Sequence, residues 1–78
     1  MNQVTIRTKK SCINRVKKEA DPNAYYIVYL DREPSFEISF QDKKTWIRPF
    51  GMPRSVPYSP IGDNKLTREE ILDIAKYY

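Results

Sequence analysis

The chain has 78 residues, 40% of them hydrophobic, and a formal net charge of +4 from 14 basic and 10 acidic side chains. With no histidine and one cysteine, it excludes a disulfide framework, a Cys/His zinc site and any triad built on histidine. A chain this short buries only about 60% of the surface it exposes when unfolded, so it is one small domain with a thin core.

Residues 3–8 alternate, with Val4 and Ile6 on one side and Thr5 and Arg7 on the other, which predicts a short half-buried strand. Residues 11–20 follow a helical period. Ser11 is the candidate N-cap, and Ile13, Val16 and Ala20 are expected to share the buried stripe. Asp21-Pro22-Asn23 ends that helix.

Residues 24–31 are apolar on both faces and rich in β-formers, as in a strand covered on both sides or used for binding. A turn is expected around Pro34. Residues 35–41 alternate cleanly, Phe36, Ile38 and Phe40 inward, Glu37, Ser39 and Gln41 outward. Asp42-Lys43-Lys44 is a tight connection, and 45–48 is a fourth strand. Residues 24–48 thus read as an antiparallel meander. If the first two strands instead paired in parallel, the helix between them would cross over right-handed.

Residues 49–65 hold Pro49, Pro53, Pro57 and Pro60 with both glycines, and read as a proline-rich loop that forms no ladder. Its Val56, Tyr58 and Ile61 are expected to tuck against the sheet edge. Residues 54–60 fit the Arg-x-x-Pro-x-x-Pro pattern of a polyproline II ligand, a weak match among so many prolines. Thr67 and Glu70 form a capping box, Leu66 and Ile71 a hydrophobic staple, and Ile71, Ile74, Ala75 and Tyr78 a stripe. The order is β-α-β-β-β-loop-α, an α+β domain whose mostly antiparallel sheet carries a C-terminal capping helix.

Charge is segregated along the chain. Residues 1–18 carry Arg7, Lys9, Lys10, Arg15, Lys17 and Lys18 and no acid. Residues 43–54 carry Lys43, Lys44, Arg48 and Arg54, again with no acid and with Trp46 and Phe50 between them. The middle is acidic, with Asp31, Glu33, Glu37 and Asp42 expected around a turn and an exposed strand face.

Cations release counterions from a phosphate backbone, and aromatic faces stack on unpaired bases. The eleven residues Arg7, Lys9, Lys10, Arg15, Lys17, Lys18, Lys43, Lys44, Trp46, Arg48 and Arg54 are therefore the candidate contacts for RNA or single-stranded nucleic acid. No aromatic RNA-recognition signature, GXXG loop or C₂H₂ finger accompanies them. The alternative is a small inhibitor or adaptor, of the kind phages and mobile elements encode. It would bind a protein through its acidic face or through Tyr25, Tyr29, Phe50, Met52, Tyr58 and Tyr77.

Cys12 lies beside Lys9 and Lys10 but has no histidine to serve as its base, so a small buried cysteine is expected. No carboxylate spacing matches a metal loop and no glycine-rich loop precedes a helix, so no catalytic residue, metal or cofactor is expected. The chain begins at Met1 without an apolar stretch long enough for a signal peptide or a span, which points to a cytoplasmic protein with no membrane partner. The thin core and 13% aromatic content are compatible with a homodimer.

Overall fold

Strand-forming residues in alternating order build most of the molecule, and two tight turns set their pairing. A computed structural model describes residues 3–53 and 55–77. In chain order it contains β1 (Val4–Thr8), a 3₁₀ turn (Lys9–Ser11), α1 (Asn14–Glu19), β2 (Tyr26–Leu30), β3 (Glu33–Gln41), β4 (Lys44–Pro49), β5 (Ser59–Gly62) and α2 (Arg68–Ala75). The five strands form one antiparallel sheet in the order β1-β2-β3-β4-β5. This is a small α+β domain, as the sequence predicts.

The β2–β3 and β3–β4 hairpins close through two residues each, Asp31-Arg32 and Asp42-Lys43. All four have positive φ, between 50° and 71°, the geometry whose twist matches that of the flanking strands. Pro34 is therefore a residue of β3 and not the centre of a turn. The connection from β1 to β2 returns to its starting end, because Lys9 N donates to Tyr25 O at 2.8 Å. That return makes the first pair antiparallel and removes the parallel crossover.

The sheet is covered on both faces. On one side Ile71 and Ala75 of α2 pack on Val28, Ile38 and Ile47, with Val4, Ile6, Phe36 and Phe40 around them. On the other side Cys12, Val16 and Ala20 pack on Ala24 and Ile27, with Tyr29 and Phe50 at the margin. This second layer corrects the outward assignment of Glu37 and Ser39, each 1% exposed. On this face Glu37 meets the exit turn of α1 and not water, accepting a hydrogen bond from Asp21 N.

Two further expectations change. Helix α1 is shorter than 11–20: Ser11 closes the 3₁₀ turn, Ile13 occupies the N-cap without a side-chain bond, and Ile13 is 62% exposed. The proline-rich loop contributes β5, which pairs with β4 through Trp46↔Pro60 and Ile47↔Ser59. Proline is tolerated there because β5 is an edge strand, with one side free of ladder bonds.

The C-terminal helix follows its sequence signals. Thr67 Oγ1 accepts from Glu70 N and Glu70 Oε1 accepts from Thr67 N, the reciprocal capping box. Ile71 is fully buried beside Leu66. Tyr78 lies outside the described residues. Thr67→Ala should cost about 1 kcal/mol of unfolding free energy, read as a lower urea midpoint with an unchanged slope; an unaltered midpoint would show that the cap contributes nothing.

Candidate functional site

The strand register puts Arg7, Ile27, Glu37 and Arg48 in one row across the α1 face of the sheet. The two arginines at its ends meet opposite fates. Arg48 is 3% exposed. Its Nη1 lies 3.0 Å from Asp21 Oδ2 and 3.6 Å from Glu37 Oε2. Its Nη2 donates to Met52 O at 2.5 Å and to Pro53 O at 2.6 Å. Glu37 Oε1 accepts from Asp21 N at 2.8 Å. The ring of Tyr58 lies 5.7 Å from the guanidinium carbon.

Arg48 therefore does not serve as a surface phosphate contact. Its two Nη groups are held by the turn after α1, by β3 and by the start of the proline segment, while its buried Nε has no hydrogen-bond partner. A charge this deep needs several acceptors, since its desolvation costs several kcal/mol. Burial raises the Tyr58 phenol to about 12, and its hydroxyl is buried without a hydrogen-bond partner. Tyr58, expected at an interface, is thus part of this buried cluster. Lys9 is also engaged, donating from Nζ to Pro22 O at 3.0 Å and Asp21 O at 3.5 Å.

Arg7 lies on the open side. With Arg15 of α1 and Arg32 of the β2–β3 turn, it lines a groove of about 430 Å³ whose walls include Cys12, Ile13 and Tyr29. All three arginines are exposed and none has a carboxylate within salt-bridge distance among the described residues. Cys12 is buried and directs Sγ to Thr8 O at 3.4 Å. Burial, with the Cys12 thiol as a second cause, raises the Tyr29 phenol to about 12, so it is a neutral hydroxyl.

Arg15 continues the surface onto a shallow depression with Asn14, Lys17 and Lys18. A third depression, at the β1–β2 end, is lined by Thr8, Lys9, Lys10, Ala24 and Tyr25. No acidic residue lines any of the three. Lys43 and Lys44 sit exposed at the β3–β4 turn, on the same end of the sheet as Thr8 and Tyr26.

Trp46 is half-buried and its indole N–H donates to Gln41 O at 3.0 Å. It stands on β4, and the arginine groove does not include it. Tyr25 is 50% exposed, in edge-on contact with Tyr26 and Phe40. Lys65 Nζ stands 5.2 Å from the Phe40 ring and Arg68 5.3 Å from that of Tyr26. Phe50 packs on the α1 layer, whereas Met52 and Tyr77 are exposed. Arg54, and with it the start of the polyproline pattern, lies outside the described residues.

Sequence reading missed Arg32, Ile13, Lys65 and Arg68. Arg32 follows the acidic Asp31 and is flanked by Glu33, so its local charge gives no sign of a basic groove. Ile13 fits a buried stripe by period, and only the late start of α1 turns it outward.

Arg48→Ala should remove about 3–5 kcal/mol of stability by leaving Glu37 and Asp21 without their cation. Arg48→Lys should recover little, because a point charge cannot reach the two carboxylates and two carbonyls together. Denaturant unfolding checks both, and a wild-type midpoint in the lysine variant would contradict this geometry.

Desolvation raises the Glu37 carboxyl above its usual 4.5, against the pull of the Asp21 amide and Arg48. A carboxyl raised on folding holds its proton more tightly folded than unfolded. Its stabilising share is complete below 4.5 and is lost as pH rises through the folded value. Stability of the wild type relative to Glu37→Gln should therefore fall from acid towards neutral pH; a rise would reverse the assignment. No family model, curated protein or solved structure matches the chain.

Proposed function

We propose that this chain is a non-catalytic binding protein for RNA or single-stranded DNA, engaged across the α1 face and the β1–β2 end of the sheet. One observation carries the reading: three depressions, two of them sharing Arg15, are lined by Arg7, Arg15, Arg32, Lys9, Lys10, Lys17 and Lys18, with no carboxylate among their lining residues. Unpaired cations on a concave surface concentrate polyanions and steer their approach. Tyr25 and Tyr29 add aromatic surface beside those cations, which suits unpaired bases better than a closed duplex.

Of the expected contacts, Arg7, Lys10, Arg15, Lys17 and Lys18 belong to this surface, Lys43 and Lys44 lie at its end, and Arg48 and Trp46 do not take part. No helix among the described residues is long and apolar enough to cross a membrane. A protein of this kind would meet its ligand in the cytoplasm. A homodimer belongs to the same proposal, and light scattering at the monomer mass would remove it.

Fluorescence anisotropy with labelled single-stranded RNA, single-stranded DNA and duplex tests the function. Single strands should bind best and lose at least about tenfold in affinity between 50 and 200 mM salt. Lys17→Ala/Lys18→Ala should flatten the logarithmic salt slope by about 1.4, two single-strand phosphate contacts. Absence of binding at the lower salt would overturn the proposal and turn the search to a protein target, the inhibitor or adaptor of the alternative reading.

A further inference from the structure

The cations of this protein fall into two groups. Arg48 is buried among acceptors, Lys9 is held by two carbonyls, Lys65 and Arg68 lie over aromatic rings, and Lys76 pairs with Asp73. Arg7, Arg15 and Arg32 come from three different elements and line one groove without a carboxylate partner. Asp31 and Glu33 flank Arg32 in sequence but do not line it.

Three like charges around one concavity repel one another, and an anion seated there relieves the repulsion. The charge count selects among anions. An internal phosphodiester carries one negative charge. A phosphate monoester carries about −1.5 to −2 and three acceptor oxygens, which suits three guanidinium groups. The groove volume of about 430 Å³ exceeds what a bare phosphate needs and lies in the range of about 300–1,000 Å³ typical of small-molecule sites. Its remaining walls are apolar or neutral. Ile13 is 62% exposed at the groove and Tyr29 presents a protonated phenol. These offer an apolar contact for a base and a donor for an oxygen.

We propose that the Arg7–Arg15–Arg32 groove holds a phosphate monoester, the terminal phosphate of a single strand, with the end nucleotide against Ile13 and Tyr29. This rests on the nucleic-acid reading above and adds to it a preference for one kind of strand end. Lys17, Lys18 and Lys10 then hold the following phosphodiesters.

The test compares one oligonucleotide sequence with a 5′-phosphate, a 3′-phosphate or hydroxyls at both ends. Inorganic phosphate is titrated in parallel, with the arginine Nε–Hε signals observed by NMR. One phosphorylated form should bind about tenfold more tightly than the hydroxyl form, a difference the size of one charge-assisted hydrogen bond. Arg15→Gln/Arg32→Gln, both at exposed positions, should weaken all three forms through the lost charge and abolish the preference, so that phosphorylated and hydroxyl strands bind alike. Thermal melts confirm that the variant folds.

Equal binding of all three oligonucleotides would overturn the terminal-phosphate site and leave the nucleic-acid reading standing. Binding of none would overturn both. Inorganic phosphate bound at these arginines as tightly as the phosphorylated strand would make this a small-anion site and overturn the strand-end proposal. A phosphotyrosine peptide that outcompetes the phosphorylated strand would do the same.

Discussion

A single buried guanidinium organises the α1 side of this molecule. Arg48 lies in the fourth strand, yet its acceptors come from the turn after α1, from β3 and from the start of the proline segment. Such a cluster is weak evidence for net stability, because desolvation of its charges offsets most of their attraction. What it supplies is position. The Asp21 turn must lie where its carboxylate reaches Nη1 and its amide reaches Glu37. That fixes the end of α1, and with it the side of the sheet α1 covers.

The location of the arginine groove follows from this constraint. Helix α1 has six residues and buries one of them, Val16. Anchored at Asp21, it covers Ile27 and Ala24 and leaves the β1–β2 surface around Thr5, Arg7 and Tyr29 partly open. Arg15 stands on one side of that opening and the two-residue turn supplies Arg32. Arg48 and Arg7, at opposite ends of the same cross-strand row, thus differ in what lies above them. One is sealed under the turn and the proline segment. The other faces an open groove.

The parts of this architecture that the sequence shows are those governed by local rules. Val4 and Ile6, the alternation of Phe36, Ile38 and Phe40, and the Thr67/Glu70 cap each follow from a period or a spacing of a few residues. The burial of Glu37 and Arg48 does not, because charged residues on alternate strand positions ordinarily face water. Only the long-range closure of the Asp21 turn over them reverses that rule. Edge pairing of Ser59–Gly62 was hidden for a related reason. Proline forbids central strands, but an edge strand is defined by its neighbour and not by its own residues. The tight turns were half legible: Asp favours positive φ, but Arg32 and Lys43 stand where glycine gives the usual signal. Of the candidate interface, clustered charge at 7–18 was visible. Its separation into engaged Lys9 and free Arg7 and Arg15 required the fold.

Arginine side-chain NMR during titration with a single-stranded oligonucleotide tests the central division between a structural and a binding arginine. Arg48 Nε–Hε should give a resolved, slowly exchanging signal that stays in place. The signals of Arg7, Arg15 and Arg32 should shift together and saturate with the bound fraction. Movement of the Arg48 signal in step with binding, with the other three unchanged, would contradict the account at its root.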